Sequence, residues 1–305
     1  MKLENNYIIY TLFLLNRDQI ELRVTDSLTP ESINAIATEK FDSLTIEDGD
    51  WSNLDILLEY KKKIIDLSIQ TENLNWRVLE RFENIKRLYI DGCFKCGLVF
   101  KKLNKLKHLV TYWNLGYNDS LKDLSQLLSL RIIGYKNKDL NTLGKMNNLE
   151  CLVFHKSRSL KSLENLRNLK KLQYLEIEGC GSLTDLSEVA ELQDLKYLNI
   201  SFKKGIDYSV IGIISQLEEL TFSGEVGDLK WIKNLKSLKK LRFNCKIEDG
   251  NIDILYDLPS LEFIRFNNKR NFSVKLKDIQ QHLKDKGFNQ DVNTVDFKSY
   301  HEFEN

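Results

Sequence analysis

The sequence predicts an α/β solenoid in which one short strand from each of about eleven repeats joins a single parallel sheet. Three observations support this fold class. A leucine position recurs at a nearly constant interval, the residues around it alternate between apolar and variable, and the interval is too short for a long crossover helix.

The repeat is a nine-position frame with apolar residues at positions one, four and six. Leu152, Leu175 and Leu198 occupy position four, and the same position recurs every 21 to 23 residues, with a mean of 22. The eleven position-four residues are Leu44, Leu67, Leu88, Leu109, Leu130, Leu152, Leu175, Leu198, Leu220, Leu241 and Ile264. Eleven copies in register indicate one stack, in which each repeat buries its apolar face against its neighbours.

Each repeat is predicted to contain a strand and a compact return. Apolar residues at positions four and six with variable residues between them have the period of two that is typical of a β-strand. The returns carry leucines about three residues apart, such as Leu160, Leu163 and Leu166, which we expect to face the same core. Aspartates in the returns are expected to cap short helices, at Asp123, Asp139, Asp185, Asp228 and Asp253.

The unit Leu195-Lys-Tyr-Leu198-Asn-Ile200, preceded by Asp185-Leu186 in the return, resembles the leucine-rich-repeat family. The resemblance is to the bacterial repeats of about 22 residues in internalin-like proteins, and it covers roughly Phe41 to Phe272. It implies a leucine-rich-repeat horseshoe with one concave parallel β-sheet, and it says little about the ligand. The family's asparagine at position nine is present only at Asn114, so we expect other groups to satisfy that turn.

The two ends differ from the repeats and predict caps. Residues 1–40 are expected to form an N-terminal cap, a hairpin followed by a helix that begins at Pro30 with Thr29 as its N-cap. Residues 41–272 form the solenoid. Residues 273–305 are expected to form a C-terminal cap, with a helix over 274–286, a short strand from Val292 to Phe297 and a tail.

Composition excludes several classes of function. The 45 basic and 44 acidic residues give a net charge of +1, so nothing in the global charge favours nucleic acid. The apolar run Tyr7–Leu15 lacks the flanks of a signal peptide, and no stretch reaches the ~18 apolar residues of a membrane span. With five cysteines, an odd number, we expect a cytoplasmic protein.

The sequence shows none of the motifs of nucleophilic, phosphate-binding or dinucleotide-binding enzymes. The pair Cys93 and Cys96 lacks a second pair at zinc-site spacing, which favours structural cysteines. His108 and His155 lie two strands apart in the frame, about 9–10 Å, too far to share a metal ion. We therefore expect no enzyme, no cofactor and no metal.

Glu176 and Glu178 share a strand face about 6–7 Å apart, a separation that suits glycoside hydrolysis. An open sheet offers no enclosed pocket for a sugar, so we interpret the two glutamates as contacts to a partner.

Positions three, five, seven and eight are expected to point outward on the concave face and to bind a protein partner. Aromatic and arginine side chains dominate interface energetics, although aromatic residues also suit strands in general. The predicted contact residues are Arg87, Tyr89, Asp91, His108, Tyr112, Trp113, Arg131, Tyr174, Glu176, Glu178, Tyr197, Phe202, Arg242, Phe263 and Arg265. The centre of the predicted contact consists of Tyr89, Tyr112, Trp113, Tyr174 and Tyr197.

These observations predict a non-enzymatic protein-binding module, monomeric, with an unidentified protein partner. The favoured role is an intracellular inhibitor or immunity-type protein, and the alternative is a bacterial effector acting on host proteins. A third possibility is nucleic-acid binding through a late basic strip, defined as Lys240, Arg242, Arg265 and Lys269, with Phe263 stacking on bases.

Overall fold

The computed structural model describes residues 7–14, 17–91, 98–113, 118–143, 145–201, 205–291, 295 and 298, with backbone alone at 7–14, 17–19, 118 and 119. The chain divides into two compact units, residues 1–133 and residues 134–303.

The first unit contains a seven-stranded sheet in chain order. Strand β1 is antiparallel to β2, and β2 to β7 are parallel. The strands are β1 (Tyr7–Leu14), β2 (Arg17–Thr25), β3 (Ser43–Glu47), β4 (Asp66–Gln70), β5 (Arg87–Ile90), β6 (His108–Tyr112) and β7 (Ser129–Ile133). The register places Leu22 of β2 opposite Leu44, so the leucine frame extends one strand further towards the N-terminus than predicted.

The second unit contains six parallel strands, again in chain order. They are β8 (Cys151–His155), β9 (Tyr174–Glu178), β10 (Tyr197–Ser201), β11 (Glu219–Val226), β12 (Lys240–Ile247) and β13 (Phe263–Phe266). Position four pairs with position four across every one of these strands, from Leu152 to Ile264. The eleven predicted repeat strands, β3 to β13, are confirmed.

The returns are short, as the length of the repeat predicts. The α-helices are α1 (Pro30–Thr38), α2 (Trp76–Leu79), α3 (Asn118–Leu121) and α4 (Leu276–Asp285). The 3₁₀ helices are Leu54–Tyr60, Phe100–Lys102, Leu166–Asn168, Ser187–Glu191, Tyr208–Ile213, Lys230–Asn234 and Asp253–Asp257. Return leucines such as Leu160 and Leu166 are fully buried, which closes the core between sheet and returns.

Three of the predicted aspartate caps bind the backbone of their own return. The carboxylates of Asp139, Asp185 and Asp228 each accept a hydrogen bond from the backbone N–H two residues later, at 3.0, 2.8 and 2.8 Å. Asp253 is different, because its carboxylate accepts from the Ser273 hydroxyl at 2.9 Å. Asp139, Asp185 and Asp228 therefore stabilise their own turns, whereas Asp253 links its return to Ser273.

Two position-nine turns of the second unit are satisfied without asparagine. The buried hydroxyl of Ser157 accepts from the Tyr135 N–H at 3.0 Å and donates to the His155 carbonyl at 3.2 Å. The Cys180 thiol donates to the Glu178 carbonyl at 3.6 Å. A small serine or cysteine side chain thus takes the place of the asparagine that leucine-rich repeats carry at position nine.

The expected hairpin and both expected helices are present. Thr29 Oγ1 accepts from the Ser32 N–H, and Ser32 Oγ accepts from the Thr29 N–H, which closes a capping box at α1. Helix α4 ends just before Gly287, whose φ of +93° is the left-handed conformation that favours glycine. Val292 and Phe297 of the predicted last strand lie outside the described residues. Within the described part of the chain, no helix has the length and apolar character needed to cross a bilayer.

Candidate functional site

The sheet has a core face and an open face in each unit. In β12, Leu241, Phe243 and Cys245 are buried while Arg242 and Asn244 are exposed, so alternate residues point to opposite sides. We call the side that carries positions three, five and seven the open face.

In the first unit, the open face carries partly exposed side chains. Arg87 forms a 3.7 Å ion pair with Asp66, and Tyr89 and Arg131 are half-buried. Tyr112 is also half-buried, and burial followed by the neighbouring Asp91 carboxylate raises the pKa of its phenol. These four side chains are partly exposed on the open face.

Two predicted contacts of the first unit are buried instead. His108 is 8% exposed and Trp113 is 3% exposed, so a partner has almost no side-chain surface to touch there. Burial, with smaller contributions from Arg87 and Lys107, lowers the pKa of His108 to about 4. The prediction that Trp113 is an exposed anchor is wrong, since this indole is packed inside the unit.

In the second unit, the open face carries its own apolar cluster. Cys151, Val153 and Tyr174 are buried together, and the half-buried Tyr197 packs against them. The Tyr174 hydroxyl donates to Glu176 Oε2 at 2.5 Å. The expectation that Tyr174 is exposed is wrong, because its ring packs against Cys151, Val153 and Tyr197 and is 3% exposed.

Three further predicted contacts have different outcomes. Phe263 is 2% exposed, and the chain after β13 packs against this strand: Gln280 donates to the Ile264 carbonyl and Gln290 accepts from the Ile264 N–H. Arg265 is exposed, as expected. Phe202 lies outside the described residues. The predicted stacking of Phe263 on nucleic-acid bases is therefore wrong for this structure.

A shallow depression of about 210 Å³ lies on the open face of the second unit. It is lined by Tyr174, Glu176, Tyr197, Leu198, Asn199, Glu219, Thr221, Arg242 and Lys298. Its basic and acidic groups are partly neutralised, because Lys240 pairs with Glu219 at 2.9 Å. The depression combines an aromatic ring with both signs of charge.

The depression contacts a distant segment of the same chain. The backbone N–H of Lys298 donates to Glu219 Oε2 at 2.6 Å, and Lys298 Nζ lies 5.9 Å from the centroid of the Tyr197 ring. That distance is within the range of a cation–π interaction. Lys298 is not predictable from the repeat, because nothing in the repeat connects residues that are 79 positions apart.

A histidine and two glutamates meet beside this depression. His155 Nε2 contacts Glu176 Oε1 and lies 3.3 Å from Glu178 Oε2. One ligand atom from each of the three residues lies within 4.8 Å of the others. Burial raises the pKa of the Glu176 carboxyl, but hydrogen bonds from His155 and Tyr174 outweigh it and hold that pKa below its usual value.

This cluster could have been found from the repeat. The 23-residue step from Leu152 to Leu175 places His155 directly opposite Glu178, and the structure has that register. In the repeat frame His155 and His108 are too far apart to share an ion, and Glu176 and Glu178 alone suggest a catalytic pair or contacts to a partner. Only the three residues taken together show a mixed set of ligands on adjacent strands.

The described cysteines are buried thiols. Cys180 and Cys245 are free thiols, and burial raises the pKa of Cys180 to about 11 and that of Cys245 to about 12. Such thiols stay protonated at neutral pH and are poor nucleophiles. The Cys93 and Cys96 pair lies outside the described residues.

Comparison with known proteins supports the fold. No family model and no curated protein matches the chain. Among solved structures, the internalin inlF of Listeria monocytogenes is 17% identical, with a TM-score of 0.53 over 82% of this chain and 83% of that one. Internalin C2 of the same organism is 22% identical over 55% and 74% of the two chains, with a TM-score of 0.46.

The functional domain of InlJ, also from Listeria monocytogenes, is 15% identical with a TM-score of 0.48, over 74% of this chain and 50% of that one. The leucine-rich-repeat fold of the present chain rests on its own strand register and on the similarity to inlF. The resemblance drawn from the repeat is confirmed at the level of the fold.

Proposed function

We propose that the chain is a non-enzymatic binding protein that holds a protein partner on the open face of its second unit. One observation carries the proposal. The depression around Tyr197 already accommodates a piece of polypeptide, at Lys298, through a backbone hydrogen bond and a cation over an aromatic ring. A surface that holds one residue of this chain in this way has the chemistry to hold a residue of a partner.

The composition of the depression fits a protein interface. Tyrosine and arginine are enriched among residues that contribute most to binding, and Tyr197 and Arg242 both line it. Their strands are held in register on both sides, so docking costs little further backbone entropy. The alternation of acidic and basic groups favours a polar partner segment over a purely apolar one.

The contact at Lys298 also indicates which partner chemistry suits the site. An extended segment that presents a basic side chain to Tyr197 and a backbone N–H to Glu219 would reproduce it. Such a partner competes with the chain's own segment for the depression.

Within this proposal the first unit contributes a second set of contacts. Arg87, Tyr89, Asp91, Tyr112 and Arg131 are the accessible members of the predicted set there. His108 and Trp113 are not included, because they are buried. We propose an inhibitor or immunity-type role in the cytoplasm, in which the partner is an enzyme or toxin that is covered; an effector acting on host proteins is the alternative.

The proposal is tested by affinity capture from a lysate of the cells that produce the protein. The full wild-type chain and two variants serve as bait. Tyr197→Ala removes the central ring, whereas Tyr256→Ala removes a half-buried tyrosine on the 3₁₀ helix Asp253–Asp257 of the same unit. We expect mass spectrometry to identify a protein that is recovered with the wild type and Tyr256→Ala and lost with Tyr197→Ala. Equal recovery with all three chains contradicts the proposed face.

The biological setting is decided with the captured protein in purified form. An inhibitor role predicts that the partner's own activity falls as the chain is added at stoichiometric amounts. An unchanged partner activity contradicts the inhibitor role. It does not contradict the proposed binding face, which the capture experiment tests separately.

A further inference from the structure

The ends of β8 and β9 bring together three side chains whose chemistry a protein-binding face does not explain, and one of them, Glu176, also lines the depression. His155 is the last residue of β8, Glu178 is the last residue of β9, and Glu176 precedes Glu178 by two on the same face. Their nearest ligand atoms all lie within 4.8 Å of one another. Two ligand atoms at about 2.0–2.2 Å from one metal ion lie about 3–4 Å apart, so the direct contact between His155 Nε2 and Glu176 Oε1 must open for an ion to enter.

The chemistry of the set is that of a zinc-type ion. One imidazole nitrogen and two carboxylate oxygens are ligands of zinc and of related divalent transition metals, whereas calcium prefers oxygen ligands alone. With a neutral imidazole the cluster carries two negative charges, which a dication balances. Three protein ligands leave further coordination positions open to the solvent side.

Glu176 is oriented for this role by a neighbour. It is only 8% exposed, and its Oε2 accepts the Tyr174 hydroxyl at 2.5 Å. The remaining oxygen, Oε1, is the atom directed at His155 Nε2. A hydroxyl that fixes one carboxylate oxygen and leaves the other for a metal is a common arrangement around protein metal sites.

Glu178 supplies an adjustable ligand. Its side chain is 58% exposed, so it can rotate to complete a site without disturbing the core. His155 is 21% exposed, so an ion can reach the cluster from solvent. A buried, fixed carboxylate and an exposed, adjustable one therefore flank the imidazole.

We propose that His155, Glu176 and Glu178 form a binding site for one divalent transition-metal ion, with zinc as the ion that matches the ligands best. The site shares Glu176 with the lining of the depression, but the binding of an ion there requires no protein partner. The competing explanation is an ion pair between a protonated His155 and the two carboxylates, and the experiment below separates the two.

The test is calorimetric titration of zinc into the full chain after removal of metals, at about pH 7.5. Cys93→Ser with Cys96→Ser is used as the background in every sample, since that thiol pair can bind zinc by itself. We expect one ion per chain, and a loss of at least about tenfold in affinity for both His155→Ala and Glu178→Gln. Glu178 is exposed, so its variant tests the site without a risk to folding.

The matched controls are Glu225→Gln, a carboxylate paired with Lys246 in the same unit, and His282→Asn on α4. Both are expected to bind zinc as the background chain does, and calcium is expected not to bind. Cobalt in place of zinc should give visible absorption without a thiolate charge-transfer band. The proposal is overturned if zinc does not bind, if calcium binds equally well, or if Glu178→Gln and His155→Ala bind as tightly as the controls.

Discussion

The backbone N–H of Lys298 donates a 2.6 Å hydrogen bond to Glu219 Oε2, which joins residues 79 positions apart. Glu219 is held for this contact by Lys240, whose Nζ lies 2.9 Å from its other oxygen. One carboxylate therefore fixes both a neighbouring strand and a segment beyond the repeats. This relationship defines what the depression on the second unit can bind.

Replacing Glu219 should loosen the segment at Lys298. Glu219→Gln keeps an acceptor but removes the charge, and hydrogen bonds to charged groups are the stronger ones. We expect faster hydrogen exchange of the Lys298 amide, measured by NMR on the full chain. Glu218→Gln is the matched control, because Glu218 pairs with Lys196 and Lys239. Equal exchange rates in the wild type and both variants would show that the contact contributes nothing in solution.

His108 should make stability depend on pH. Burial lowers the pKa of His108 to about 4 in the folded chain, from about 6.5 in the unfolded chain. Between about pH 4 and pH 6.5, the His108 imidazole is therefore protonated in the unfolded state and neutral in the folded state. The contribution of His108 to the free energy of unfolding is therefore greatest above about pH 6.5. It decreases as the pH is lowered, and the free energy of unfolding at about pH 5 is ~1–2 kcal/mol lower. Urea denaturation at about pH 7.5 and about pH 5 measures the difference.

His108→Asn should remove that share of the pH dependence, whereas His282→Asn on α4 should leave it unchanged. A pH dependence that is the same in the wild type and in His108→Asn would contradict the assignment to His108.

Ser157→Ala should destabilise the second unit. The fully buried Ser157 hydroxyl is the acceptor for the Tyr135 N–H, and its loss leaves that donor unsatisfied. An unsatisfied buried donor costs about 1–3 kcal/mol. Thermal denaturation of the variant should show a lower midpoint, and the exposed Ser187→Ala should change stability by less than about 0.5 kcal/mol. A midpoint for Ser157→Ala equal to that of Ser187→Ala would refute this role.

The strands were predictable because they depend on a repeated pattern. Leucine at position four and an apolar residue at position six force one face inward, and parallel pairing then follows from the step of about 22 residues. Strand β2 was predicted only as part of a hairpin, although Leu22 pairs with Leu44. Its frame has the polar Gln19 at position one, so the pattern does not extend to it by inspection.

The site was predictable only in part. The strand face of Tyr197, Arg242 and Glu178 follows from alternation: Arg242 and Glu178 are exposed and Tyr197 is half-buried. The burial of Tyr174 does not follow, because it depends on the small apolar residues Cys151 and Val153 that occur in one repeat alone. Contacts that belong to a single repeat, or that join the repeats to the segment at Lys298, leave no periodic signal.

The most direct test of the binding face is the dissociation constant of the purified partner for the full chain and for Tyr197→Ala. A central interface tyrosine contributes at least about 2 kcal/mol, so we expect binding to be about thirtyfold weaker in Tyr197→Ala and within about twofold of wild type in Tyr256→Ala. If Tyr197→Ala binds the partner as tightly as the wild type does, the open face of the second unit is not the binding surface.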